Sequence, residues 1–502
     1  MKKSILSLCL SVFSFMFAIA QEPFPNTDEY INDALVRWNI PGLALAVVKD
    51  GKIVYEKGYG VREVGKPEKV DENTLFAVAS NSKAFTATSL AWLASQGKLS
   101  LDDKVRKYIP NFTLYDSVLS GEVTVRDLLC HRMGFRTWEG DFSLWGSKYP
   151  TDELIYRTRF IKPTRIFRAQ YGYNNRAFVT AGEILHTLTG MTWSEFVKDS
   201  ILIPLKMTRT TTSVTDLADM DDVATPHTVI DGTVTAIPYR NLDNIAACAG
   251  LNSSVHDFAQ WIMLHLDTAE TLLPYKVLLA TETPNELIPA PPFGNKTFPS
   301  THFVGYGLGW FLRDYKGKMV VYHSGGADGM FSLSGFVPEE HLGFVILTNS
   351  DMHNFNGALM YQILDSYLGG KETDWKEHYY SSFRKGVVKD STKWADIEKE
   401  KDPTLKPGVP FEDFAGTYSH PLYGDAIITY DDGKLSVKMT GHPNLTGMIE
   451  PWQADTLFCQ FNDPVMGKAM LYFDVNDKEV KDFRVTINPA FIDPMEYVFV
   501  KQ

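Results

Sequence analysis

The sequence predicts an α+β domain followed by a small all-β domain. Three observations carry that expectation. Two β-rich runs, "GLALAVVKDGKIVYEKGYG", stand near the start; mostly helical patterning fills about 123–210; and β-rich runs return at "KMVVYHSGG" and "FSLSGFVPEEHLGFVILTNS". A hairpin first, helices in the middle and strands last predict one sheet that unites both ends of the segment. Beyond about residue 410 only short strands and turns remain, the pattern of a small sandwich or barrel.

Composition narrows the function classes. At 502 residues the chain is long enough for two or three domains. Its 49 Lys+Arg against 61 Asp+Glu give a net charge of −12, which argues against nucleic acid or an anionic membrane surface as the main partner. Lys2 and Lys3 precede the apolar run "SILSLCLSVFSFMFAIA", which ends in the small-x-small pattern Ala18-Ile19-Ala20. That is an export signal over residues 1–20, cut near Gln21. The mature chain is then periplasmic or secreted, with no stable membrane span. Outside the signal, Cys130, Cys248 and Cys459 are too widely spaced for a disulfide framework or a Cys-x-x-Cys metal knuckle. The histidines show no tight ligand spacing, so neither metal nor organic cofactor is expected.

Taken in order, Asp50-Gly51 between two β runs signals a hairpin. The segment "VASNSKAFTATSLAWLASQGKL" has helical character, with Gly97 as its stop. "AFVTAGEILHTLTG" and "TWSEFVKDSILIPL" read as amphipathic helices separated by a Gly190 cap and ended near Pro204. Two late strands are joined by a polar turn at Pro338-Glu339-Glu340. Residues 26–368 form the larger domain and 369–409 a linker with a helix, because "DIEKEKDPTLKPGVP" is charged and proline-bearing. Residues 410–502, with turns such as Asp431-Asp432-Gly433, form the small β-domain.

The chemistry centres on Ser80 and Lys83. Serine is a poor nucleophile until a base takes its proton. Residues three apart on a helix share a face, so the Lys83 amine can reach the Ser80 hydroxyl. The amine acts as base only when neutral, and the apolar flanks "LFAVA" and "AFTATSLAWL" supply the desolvation that lowers its pKa. Ser-x-x-Lys recurs at Ser95/Lys98 and Ser382/Lys385 without such flanks, so the motif alone is weak. Two more segments add weight: Tyr173-Asn174-Asn175 before a helix, and His323-Ser324-Gly325-Gly326 at the end of a β run.

In this order the three segments resemble the serine β-lactamase and penicillin-binding protein family, in its class C β-lactamase, D-Ala-D-Ala peptidase and esterase branch. "DDKVRKYIPNF", "VTVRDLLCHRMGF", "AGLNSSVHDFAQW" and "GFVILTNS" extend the resemblance over about 26–368. The tail is similar to a lipocalin-like β-domain, through "GTYSHPLYGDAIITYDDGKL" and "PWQADTLF". The resemblance implies an antiparallel sheet flanked by helices, plus a helical subdomain. It makes Ser80 the acylated nucleophile, Lys83 its base and Tyr173 the proton shuttle. Asn175 would orient Lys83 and the substrate, the backbone amides of Ser80 and Gly326 would form the oxyanion hole, and Gly325 would let substrate lie close to the strand.

His323 departs from the lysine that many relatives carry there. With a pKa near 6.5, about a quarter of it would be charged at pH 7, giving weak, pH-dependent attraction for a substrate carboxylate. The aromatic stretch "TWEGDFSLWGSKY" offers Trp138, Phe142, Trp145 and Tyr149 either as an acyl pocket or as a packed loop, and His131 reads as a loop brace. The expected activity is hydrolysis of an amide, ester or β-lactam carbonyl through an acyl-enzyme, with a D-amino-acid-containing peptide or small ester ahead of penicillin. The alternative is a covalent β-lactam or cell-wall-fragment binding protein with little turnover. A small-molecule or peptide substrate is the expected partner, and the β-domain offers a route to homo-oligomers.

Overall fold

The strands Gly42–Lys49 and Lys52–Gly60 form the expected hairpin, with Asp50 and Gly51 both at positive φ (51° and 73°), the mirror-image turn that matches strand twist. In this computed structural model the described residues are 22–267, 271–290, 295–370, 373–487 and 493–502; the export signal expected at 1–20 lies outside them. The hairpin joins an eight-stranded antiparallel sheet in the order Lys52–Gly60, Gly42–Lys49, Leu342–Thr348, Met330–Val337, Lys318–Ala327, Phe311–Tyr315, Val304–Tyr306, Glu286–Ile288. Leu43 faces Thr348 and Lys49 faces Leu342, so one sheet does unite the two ends of the domain.

Gly42–Lys49 is apolar without alternation because both its faces are covered. Ala44, Ala46 and Val48 enter one core with the helices Ser82–Ser95 and Val255–Leu266. Leu43, Leu45 and Val47 enter a second core with Thr27–Trp38 and Phe355–Leu368. The stretch 123–210 is less helical than its pattern predicts. Its α-helices are Val125–Leu129, Thr151–Arg157, Asn175–Thr189 and Trp193–Val197, the last continuing as a wider turn over Lys198–Leu202. Gly134, Gly140 and Gly146, all at positive φ, break the rest into loops.

After the sheet comes a 25-residue helix, Trp375–Lys399. Its start is anchored by the indole of Trp375, which donates to Asp365 Oδ2 at 2.8 Å; most of its later residues are exposed. The tail is a closed eight-stranded meander, sealed where Gly416–His420 pairs with Tyr497–Lys501. Its interior is filled by rings: Tyr418 packs edge-on to Phe483, and Phe483 stacks on Phe499 at 5.0 Å. Among the described residues no helix is long and apolar enough to cross a membrane. Phe483→Ala should destabilise the barrel by about 3–5 kcal/mol, the usual cost of removing a buried ring. Thermal unfolding should show this as a lowered transition for the tail.

Candidate active site

Ser80 sits in a single 3₁₀ turn, Ala79–Asn81, that leads into the helix Ser82–Ser95. Ala79 has φ +46°, a left-handed conformation that costs a non-glycine residue about 1–2 kcal/mol. Surrounding hydrogen bonds hold it there. Val78 N donates to Leu251 O at 3.0 Å, the Ser82 hydroxyl to Ala79 O at 2.7 Å, and the Ser332 hydroxyl to Val78 O at 2.8 Å. Asn81 then ties the turn to the sheet: its amide donates to Ser332 Oγ at 2.8 Å and accepts from the Ser334 hydroxyl at 2.6 Å.

Lys83 is fully buried. Its Nζ lies 2.9 Å from Ser80 Oγ and donates to Cys248 O at 3.0 Å. That carbonyl is available because the short helix Ala246–Ala249 stops at Gly250, leaving terminal acceptors without intrahelical donors. Burial lowers the Lys83 pKa to about 8, against the opposing pull of Cys248 and Asp141. The amine also lies 4.8 Å from the centre of the Tyr173 ring. The Tyr173 phenol hydrogen-bonds Ser80, yet burial pushes its pKa well above 10. It therefore rests as a neutral phenol.

The Tyr173 segment is fixed from several sides. Asn174 caps the helix Asn175–Thr189 by accepting from Ala177 N at 3.3 Å. His131 Nδ1 accepts from Asn174 N at 3.1 Å, and its ring lies 4.3 Å from that of Tyr173, so it braces the loop. Asn175 differs from expectation. Its Nδ2 donates to Asp141 Oδ2 at 2.6 Å and its Oδ1 is buried without a hydrogen-bond partner. The group that orients Lys83 is the Cys248 carbonyl, which no local sequence signal marks.

The strand Lys318–Ala327 completes the site. Phe311–Tyr315 pairs with it only as far as Tyr322, so 323–327 pair with Met330–Val337 alone and leave one edge free beside Ser80. His323 is buried there. Its Nδ1 lies 2.6 Å from Ser324 O, an acceptor, so that nitrogen carries the proton and Nε2 accepts from the Tyr306 hydroxyl at 3.0 Å. Burial, then Lys83, lower its pKa to about 3. The expected quarter-charged imidazole is thus corrected: His323 is neutral at pH 7. Gly325 is corrected as well. A Cβ there would lie 2.1 Å from Val78 O and 3.0 Å from Ser80 N, so the glycine admits the serine's own turn, not substrate backbone. The next residue, Gly326, faces open space.

The sequence model of the Beta-lactamase family matches residues 28–366. The chain belongs to that family. A second model, described as a domain of unknown function (DUF3471), matches residues 400–496. Two relatives are the unguisins hydrolases of Aspergillus campestris and Aspergillus violaceofuscus. Each is 28% identical; they cover 80% and 82% of this chain, and in both cases 77% of the relative. Protein flp of Staphylococcus aureus is 27% identical over 64% of this chain and 62% of its own. Among solved structures, the octameric penicillin-binding protein homologue from Pyrococcus abyssi has the same fold, with TM-score 0.62 and 22% identity over 94% of this chain and 99% of that one. As a Beta-lactamase-family member the chain is a serine hydrolase.

In this member Ser80 opens onto a cleft of about 900 Å³. Trp138 and Trp145 line it, whereas Phe142 stacks on Tyr423 of the barrel at 4.8 Å and Tyr149 packs under Arg157. The aromatic stretch therefore divides between pocket and packed loop. Asp390, Lys393 and Trp394 of the helix Trp375–Lys399, and Val465 of the barrel, form a wall that the sequence did not predict. Ser95, Lys98, Ser382 and Lys385 are exposed, away from the cleft. Gly325→Ala should lower acylation of Ser80 at least about tenfold by pushing the strand off the Ala79–Asn81 turn. Fluorophosphonate labelling rate, with circular dichroism as the folding control, measures this.

Proposed function

We propose that this protein is an exported acyl-enzyme hydrolase of amide or ester carbonyls, with a D-amino-acid-containing peptide or small ester ahead of penicillins as substrate. The observation that carries the reading is a buried Lys83 amine 2.9 Å from Ser80 Oγ, with its pKa lowered to about 8. About a tenth of it is neutral at pH 7, enough to serve as base. As Ser80 Oγ bonds to the carbonyl carbon, Lys83 takes the hydroxyl proton. The amides of Ser80 and Gly326 receive the oxyanion. The Tyr173 phenol passes a proton to the departing nitrogen or oxygen as its bond to carbon breaks, and is reprotonated from Lys83. Water then attacks the ester on Ser80 and gives a proton through Tyr173 to Lys83, which returns it to Ser80 Oγ as the acyl–oxygen bond breaks, releasing the acid with the hydroxyl and the neutral amine restored. The free edge at 323–327 suits an extended substrate backbone.

The substrate ranking is supported by charge. His323 is neutral, and Asp351 and Asp390 line the cleft against Lys393, while Asp328 is paired with Arg240. A substrate carboxylate finds no fixed cation at 323–327 of the His323 strand. The names of the two unguisins hydrolases favour turnover over covalent storage. Export is supported by Lys2, Lys3 and the run ending at Ala20.

Ser80→Ala should abolish turnover of short-chain nitrophenyl esters and D-amino peptides, by about a thousandfold or more. A single stoichiometric burst in the wild type would replace hydrolysis with covalent binding. Faster turnover of a chromogenic cephalosporin than of every ester and D-peptide would overturn the ranking. Because the deprotonated amine is the active form, kcat/KM should rise with pH and level off above about 8. A profile flat from about pH 6 to about pH 9 would remove Lys83 as the base.

A further inference from the structure

We propose that the C-terminal barrel is part of the active site: Asp493 is a positioning residue that fixes the Gly140–Phe142 turn, and with it the Asp141 carboxylate that holds the Asn175 amide. The proposal rests on the acyl-enzyme reading above.

Asp493 is 4% exposed and precedes the barrel's closing strand, Tyr497–Lys501. Its two oxygens accept four hydrogen bonds, two from each domain. Gly140 N at 3.2 Å and Phe142 N at 2.9 Å belong to the catalytic domain; Met495 N at 2.9 Å and the Tyr497 hydroxyl at 2.7 Å belong to the barrel. A carboxylate has about four acceptor positions, so none is left over. The same turn is gripped from the opposite side by Arg176, the residue after Asn175. Its buried guanidinium donates to Gly140 O at 3.2 Å and Ser143 Oγ at 2.5 Å. Held between a barrel carboxylate and a guanidinium, the turn presents Asp141 to Asn175 Nδ2 at 2.6 Å.

An ionised carboxylate only accepts, so Asp141 selects the NH₂ end of the Asn175 amide. That leaves Oδ1, buried without a hydrogen-bond partner on a residue that lines the cleft, as an uncommitted acceptor. The donor such an acceptor suits is a substrate N–H. Without Asp141 in place the amide is free to turn over and present its own hydrogens instead of that acceptor. Further contacts pin the rest of the loop. His442 Nε2 lies 2.9 Å from Trp145 O while its Nδ1 meets the Tyr423 hydroxyl at 2.6 Å, and Lys148 N donates to Gly441 O at 2.9 Å.

Electrostatics ties Asp493 to the proton on Asp141. Burial first, then the Asp493 carboxylate, push the Asp141 pKa up to about 7. Arg176, the Asn175 amide and Lys83 oppose that rise, and Tyr173 and Cys248 are its remaining titratable neighbours. The carboxylate form, which orients Asn175, is therefore lost as pH falls through about 7.

The test uses full-length chain, with fluorophosphonate labelling of Ser80, kcat/KM for a nitrophenyl ester across pH, and thermal unfolding. Asp493→Ala should lower kcat/KM by about ten- to a hundredfold, chiefly through kcat. Asp493→Asn keeps one acceptor oxygen and should recover part of the loss. It should also shift the Asp141 limb to lower pH, because the like-charged neighbour is gone. Below about pH 7 the wild type should lose activity with a slope near two in log(kcat/KM), from Lys83 and Asp141 together, and Asp141→Asn with a slope near one. Wild-type labelling and pH profile in a folded Asp493→Ala would overturn the proposal. Should Asp493→Ala fail to fold, Asp493→Asn decides: an Asp141 limb left in place overturns the proposal, and a limb moved to lower pH supports it. Absence of Ser80 labelling in the wild type would sink the acyl-enzyme reading itself, and this proposal with it.

Discussion

A cationic side chain taken out of water is the constraint around which this protein is organised. Lys83 is buried completely, with a serine hydroxyl and one backbone carbonyl as its polar contacts and the Tyr173 and Phe178 rings nearby. An ammonium in such a place is expensive, and a lowered pKa is how the site relieves that expense. Almost every unusual feature nearby serves the enclosure. The strained Ala79 turns Ser80 toward the amine, Gly325 lets the strand close over the turn, and the stopped helix at Gly250 supplies the carbonyl. The same low-polarity surroundings keep Tyr173 as a phenol and His323 as a neutral imidazole.

The two cores explain how so exacting a site is held. The central strands are covered on both faces, so the sheet is anchored in two hydrophobic cores at once. The Ser80 turn is tied to it by Asn81, Ser332 and Ser334, buried groups paired with one another and with the Val78 and Gly325 carbonyls. Buried polar networks of this kind fix position at the cost of tolerance, since removing one member strands the others.

Much of this was legible in the sequence, and the failures have physical causes. The hairpin at Asp50-Gly51, the late strands, the Ser80–Lys83 spacing and the capped helix after Asn174 are local patterns, and each forms as its pattern implies. What the sequence misassigned depends on burial, which spacing does not report. His323 looks titratable until the strand places it beneath Tyr306, and Gly325 looks substrate-facing until Val78 is seen against it. Helicity over 123–210 was overestimated because the glycines that break it, Gly134, Gly140 and Gly146, stand singly and carry no paired turn signal. The Cys248 carbonyl and Asp493 carry no motif at all. They reach the site from 165 residues beyond Lys83 and from 351 residues beyond Phe142.

The ring-filled interior of the tail has a bearing on heat tolerance. A barrel plugged by Tyr418, Phe473, Phe483 and Phe499 has no room to adjust gradually, so it holds its shape or loses it as a unit. Its last strand begins four residues after the carboxylate that grips the Gly140–Phe142 turn. Heat that opens the barrel therefore also takes from the Gly140–Phe142 turn the carboxylate that is its outer handhold.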